Sequence, residues 1–234
     1  MSIIYRLLSK SHRVLIISPH CDDAAFSIGE LIYEISRLEI ELIILTCFSK
    51  SRYAINQPLL GVEDITLIRK SEDKLFYKLC NANSMQFIYL DLMDAPLRTD
   101  RINDTVFDPI LRADDMLLAK IIKNTIKSLL TTDTLLLFPM ATGSHIDHVI
   151  TNIACHDIAN SHDHYGVYLD QPYVTLKETV SVDFRINKFD VITYSINKNI
   201  KRRIIDCYLS QRDDEERKAM LSYGSEIVIV PYVF

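Results

Sequence analysis

Two short segments of this chain concentrate the side chains that could do chemistry: Pro19-His20-Cys21-Asp22-Asp23 and Gly143-Ser144-His145-Ile146-Asp147-His148. His20 and Asp23 stand three residues apart, and His145 and His148 repeat the spacing. Where a loop enters a helix, residues so spaced can turn toward one point. Imidazole and carboxylate are the groups a catalytic zinc takes, with three protein ligands and one position left for water. Asp22 is then one carboxylate more than the ligand set requires, beside the metal water, where a general base must stand. Each segment also has a structural reading. Asp22 or Asp23 could cap a helix N-terminus, and paired histidines at a helix start are often solvent-exposed. Caps do not explain two such clusters at the ends of neighbouring strands.

The elements that must position them follow from the apolar pattern. Val14 to Ser18, Glu41 to Phe48, Gln86 to Leu90, Leu135 to Phe138 and Gly166 to Asp170 read as short strands, the first buried on both faces. Between them, residues 25–37, 63–81, 113–130 and 147–160 show helical spacing, and residues 49–62 a loop. Strands alternating with helices predict an α/β fold: a three-layer, Rossmann-like sandwich with a mostly parallel sheet and helices on both faces. In the common strand order 3-2-1-4-5, strands one and four are neighbours where the order reverses, and ligands bind beyond their carboxyl ends. Both clusters fall there. Toward the end, residues 180–196 read as one or two strands, 198–220 as helix with a break near Gln211, and 226–234 as a last strand. No repeat, low-complexity stretch or linker interrupts the chain, so residues 1–234 are expected to form a single domain.

Composition narrows the class. At 234 residues, with 48% apolar and 24% charged residues, the sequence is that of a globular protein. A net charge of −5 argues against nucleic acid or an anionic membrane as partner. Five cysteines without regular spacing make no disulfide framework and fit a reducing compartment. The N-terminal stretch is interrupted too soon by Arg6 and Lys10 for a signal peptide. No run has the length of a membrane span, and a cytoplasmic location is expected. With five glycines and no Gly-rich turn after the first strand, a nucleotide-binding reading fails.

At SPHCDDA and HIDH the chain resembles the LmbE-like or PIG-L family of zinc-dependent N-deacetylases. The similarity extends to Arg69 and Glu72 in IRKSEDKL, to the loop Asp91 to Leu97, and to KRRIIDCYLSQ at 201–211. It implies His20, Asp23 and His148 as zinc ligands and Asp22 as the base. It implies His145 as the group that stabilises the oxyanion or protonates the leaving amine, Asp147 as the carboxylate that orients a histidine, and Arg69 and Asp94 as substrate contacts. The implied reaction removes an N-acyl, in the first place N-acetyl, group from a GlcNAc-type amino-sugar conjugate. The donor set accepts Zn2+ or Fe2+, and nothing in the sequence bears on oligomeric state. Two positions depart from the family pattern: Cys21 stands where proline is usual, and Ala24 where an acidic residue is. They leave open a thiol ligand or an oxidation-prone thiol at Cys21, and a catalytically weak homologue that binds a glycoside or a protein partner.

Other polar groups carry less. His162-Asp163-His164 precedes the fifth strand, at the end of the sheet away from the clusters. His156 reads as a surface or half-buried residue. Asp213 to Glu216, followed by Arg217 and Lys218, reads as a solvated helix face with intrahelical pairs. Tyr165, Tyr168 and Tyr173 read as packing or as a wall for a sugar.

Overall fold

The computed structural model describes residues 7–8, 11–57, 59–81, 84–98, 106–107, 110–176 and 189–231. The strands are β1 (Arg13–Ser18), β2 (Glu41–Thr46), β3 (Met85–Tyr89), β4 (Thr134–Pro139), β5 (Tyr165–Tyr168), β6 (Phe189–Ser195) and β7 (Ser225–Pro231). They form one sheet in the order β3-β2-β1-β4-β5-β7-β6. The first five are parallel, and β7 and β6 join antiparallel. The helices are α1 (Asp23–Ile35), α2 (Val62–Cys80), α3 (Ala113–Leu129), α4 (Ile146–Ala159), α5 (Tyr173–Leu176), α6 (Lys198–Ile205) and α7 (Asp214–Tyr223).

Strand periodicity divides the core into two halves. Val14 and Ile16 of β1, with Leu42, Ile44, Leu135 and Leu137, pack under α1, α6 and α7. The alternate residues Leu15, Ile17, Ile43, Leu45, Leu136 and Phe138 pack under α3 and α4. A central strand with an apolar residue at every position can satisfy both faces only in such a three-layer arrangement. The expected sandwich and strand order are therefore found. Predicted boundaries shift by a few residues, and the short α5 and a 3-10 turn at Ala95–Leu97 were not expected. The strand region 180–196 is described only from residue 189, as β6. The helix expected over 198–220 is two, α6 and α7.

α1 is broken at Ile28, whose φ of −135° and ψ of 28° are not helical. An ion pair occupies the break. The Lys201 ammonium donates to the Phe26 carbonyl at 2.5 Å, while Glu226 accepts from the backbone N–H groups of Glu30 and Leu31 at 3.0 and 2.9 Å. Lys201 and Glu226 also pair with each other at 2.6 Å, both fully buried. Phe26 O and the N–H groups of Glu30 and Leu31, released by the break, thus find charged partners, as buried polar groups must. The break ties the segment that begins at Asp23 to α6 and β7. Glu226→Gln should strand the Lys201 charge and cost roughly 3–5 kcal/mol in urea unfolding. The double variant Lys201→Met/Glu226→Met should recover little, because the backbone groups of Phe26, Glu30 and Leu31 then lose their partners as well.

Candidate active site

The capping reading of the first cluster does not hold. Asp22 occupies the N-cap position of α1 but makes no capping bond. Ser18 does that work: its hydroxyl accepts from Ala24 N–H at 3.0 Å and donates to the His20 carbonyl. Asp23 turns back instead. One of its carboxylate oxygens lies 2.8 Å from His20 N, 2.9 Å from His20 Nδ1 and 3.2 Å from His148 Nε2. Residues 125 and 128 positions apart in sequence, Asp23 and His20 from His148, meet because β1 and β4 are neighbours. His20, Asp23 and His148 are buried, with one potential ligand atom from each within 4.8 Å of the others.

A second trio, His20, His145 and Asp147, also lies close enough to share a cation. Its carboxylate is already committed. One oxygen of Asp147 accepts from Ala95 N–H at 2.8 Å and lies 3.0 Å from His20 Nε2, and the other pairs with Arg98 at 2.6 Å. His148 Nε2 is buried, and its ion-pair partner at 3.2 Å is Asp23 of the first trio itself. The trio of His20, Asp23 and His148 could therefore hold a metal through His20 Nδ1, the Asp23 carboxylate and His148 Nε2. Behind the two imidazoles stand Asp147 on His20 Nε2 and Asp170 on His148 Nδ1 at 2.6 Å, each fixing a tautomer. Asp170 was missed from sequence. Its signal is positional: it follows β5 at the same end of the sheet, and Thr142 N–H holds its second oxygen at 2.8 Å.

The electrostatics suit a cation. Burial disfavours charge on His20, yet Asp23 and Asp147 outweigh it and raise the imidazole to about 9. Burial likewise opposes a charged His148, but Asp23 and Asp170 carry it well above the ordinary value. His145 goes the other way. Burial chiefly lowers it to about 3, so it is a neutral imidazole. Its Nδ1 accepts from Asp147 N–H at 3.2 Å, which leaves the proton on Nε2.

Asp22 stands on the cleft, paired with Arg69 at 2.7 Å. Burial opposes the guanidinium charge, but Asp22 above all holds it above its usual value. Arg69 also donates to Ser51 at 3.1 Å. Asp94 lines the same cleft at 2% exposure, with Oδ1 lacking any hydrogen bond. All eight expected site residues thus surround one region. Arg98, stacked on the Phe48 ring at 5.0 Å, joins them without having been expected.

The structure closes the role of Cys21 as a ligand. Its thiol is buried against Asp73, which also accepts from the hydroxyls of Tyr89 and Tyr208, both at 2.9 Å. Burial pushes the thiol well up, as it does for an inert cysteine. Ala24 belongs to the apolar core beneath α1. Neither residue lines the cleft. His162 and His164 bond to Thr134 O and Ser11 Oγ at the opposite end of the sheet, and His156 is exposed. The acidic run departs from the expected intrahelical pairing: Asp213 caps α7, Arg217 reaches Asp206, and Glu216 lines the cleft.

A model of one protein family, PIG-L, described as GlcNAc-PI de-N-acetylase, matches residues 15–159, from β1 through α4 and both clusters. The chain belongs to the PIG-L family. Among its relatives, 2'-N-acetylparomamine deacetylase of Streptomyces fradiae is 25% identical over 217 residues, covering 87% of this chain and 75% of that protein. A zinc-inhibited form of teicoplanin deacetylase superposes with a TM-score of 0.70 at 18% identity, covering 94% of this chain and 98% of that one. N,N'-diacetylchitobiose deacetylase from Pyrococcus horikoshii gives 0.59 at 17% identity, covering 97% and 87%. Among the described residues, no helix is long and apolar enough to cross a membrane.

His20→Ala, Asp23→Ala and His148→Ala should each abolish tight zinc or ferrous-ion binding in equilibrium dialysis, since a three-ligand site has no spare. Asp170→Asn should weaken it roughly 10- to 100-fold. Cys21→Pro should bind metal as the parent does. Because His20 stays protonated to about 9, metal entry near neutral pH should release protons, and affinity should rise with pH.

Proposed function

We propose that this PIG-L family member is a metal-dependent amide hydrolase, one domain over residues 1–234, that removes an N-acyl group from a GlcNAc-type amino-sugar conjugate. One observation carries the reading. A carboxylate, Asp22, faces the cleft beside His20, Asp23 and His148 but is not needed among them, and a neutral imidazole, His145, stands nearby. A binding protein with a structural metal would need neither.

His20, Asp23 and His148 would hold Zn2+ or Fe2+, which when bound supplies Lewis acidity and a water of lowered pKa. Asp22 takes a proton from the attacking water and returns it to the nitrogen of the departing amine, with its Oδ1 fixed by Arg69. His145, with its proton on Nε2, donates to the oxygen on which charge develops. The low value of this imidazole makes it a better hydrogen-bond donor than a source of a full proton. Asp94 Oδ1, buried and unpartnered, would accept from a substrate hydroxyl. The cleft measures about 1170 Å³, beyond the roughly 300–1,000 Å³ that small ligands occupy. A conjugate larger than one sugar fits it, and remote contacts can help position the amide.

Protein loaded with zinc or with ferrous ion should release a primary amine and a short carboxylic acid from members of a panel of N-acetylglucosaminides bearing inositol, lipid and small organic aglycones. Separate loading matters, since the teicoplanin enzyme has a zinc-inhibited form. Asp22→Asn should retain metal and lose roughly 100-fold or more in turnover. Tight binding of a conjugate without cleavage would make the chain a glycoside-binding protein. Cleavage of an ester or phosphoester in place of the amide would keep the metal site and replace the chemistry.

A further inference from the structure

Arg98 lines the cleft, and the mechanism above gives it no part. It follows the 3-10 turn Ala95–Leu97, which begins directly after Asp94, and both ends of this turn are fastened to one carboxylate. Ala95 N–H donates to Asp147 Oδ2 at 2.8 Å, and Arg98 Nη2 lies 2.6 Å from Asp147 Oδ1. Asp147 is fully buried and depends on these two groups and on His20 Nε2, 3.0 Å from Oδ2. The contact with Arg98 is ionic rather than an aligned hydrogen bond, since neither Nη2 nor Oδ1 makes a bond of good geometry. Two further contacts hold the guanidinium in place. Its Nη1 donates to the Met93 carbonyl at 2.9 Å, and its plane lies over the Phe48 ring at 5.0 Å. Phe48 is fully buried, with its ring 6.3 Å from that of His20. Arg98 therefore reaches the carboxylate behind His20 and the aromatic ring beside it, from the loop that carries Asp94.

The geometry points to Arg98 as a positioning residue for metal binding: it pins the Asp147 carboxylate, and through Asp147 it holds the His20 ring with Nδ1 turned toward Asp23 and His148. The inference rests on the metal-dependent reading of the cleft. A carboxylate bonded through one oxygen alone can still rotate about its terminal torsion. A cation on the second oxygen removes that rotation, and the imidazole bonded to the first oxygen takes its orientation from the carboxylate. A ligand ring oriented in advance has less freedom to lose when the ion arrives, so the ion is held more tightly. Arg98 does this without meeting the ion, because Asp147 stands between it and His20.

Arg98→Met keeps the apolar contact with Phe48 and removes the charge and the donors. It should weaken zinc or ferrous-ion binding in equilibrium dialysis roughly 10- to 100-fold, and Arg98→Lys, which restores the charge, should lie nearer the parent. A double-mutant cycle separates positioning from general damage. Added to Asp147→Asn, which already lacks the ionic partner, Arg98→Met should weaken metal binding by no more than about two-fold further. Arg98→Gln takes its place in the cycle if Arg98→Met does not fold, which circular dichroism and thermal unfolding read directly. A folded neutral variant that binds metal within about two-fold of the parent makes Arg98 only a wall of the cleft and overturns the inference. A loss of the same size with and without the Asp147 carboxylate overturns it too, since Arg98 would then act on the fold and not through Asp147. A parent protein that binds neither ion would overturn the metal-dependent reading, and this inference with it.

Discussion

Asp23, Asp147 and Asp170 are three carboxylates held at 5% exposure or less within one small region, and the surrounding chain is arranged to compensate them. An ionised carboxylate removed from water is tolerated only with a counter-charge or several donors. His20 and His148 supply the first kind of compensation for Asp23, and Arg98 for Asp147. The backbone N–H groups of Ala95 and Thr142 supply the second for Asp147 and Asp170. This requirement draws four separate stretches of chain, those after β1, β3, β4 and β5, to the carboxyl end of the parallel sheet. It also leaves two imidazoles, each with a carboxylate behind it, presenting their remaining nitrogens toward a common point.

The same need for compensation recurs away from the cleft. The break in α1 exposes backbone groups that Lys201 and Glu226 satisfy from the interior. Asn197 N–H in turn bonds the Glu30 carboxylate at 2.8 Å, so the late segment is fastened to both sides of the break. Phe26, just before the break, lines the cleft and packs edge-on against Tyr208 at 5.6 Å. The antiparallel strands and last helices are therefore more than an extension of the sheet. They fix the exit of the helix whose first turn carries Asp23.

Two charged networks share the cleft wall with different consequences. Around His20 and His148 the groups are matched in sign. Around Glu216 they are not: burial, then Asp213 and Asp22, raise its carboxyl to about 7. The pairing of Arg69 with Asp22 separates these regions and keeps the proposed base oriented. Cys21, within the motif itself, faces away into the bonds of Asp73 with Tyr89 and Tyr208. Adjacent residues of one loop thus serve the metal site and the core beneath it.

The sequence by itself determined the layered fold, because continuous apolar runs alternating with helical periodicity have few packings that bury them. It also determined the two clusters and their meeting, since the strand order fixes which loops are neighbours. Only the tertiary structure shows which groups each carboxylate meets. Asp22 and Asp23 are adjacent and chemically identical, and only the approach of His148 to one and Arg69 to the other separates them. Asp170 acts on a histidine 22 residues earlier, and Asp147 on one 127 residues earlier. Lys201 reaches a carbonyl 175 residues away. Local spacing carries no record of such contacts. They arise only when separate elements dock and a buried polar group must take whichever partner the packing brings within reach.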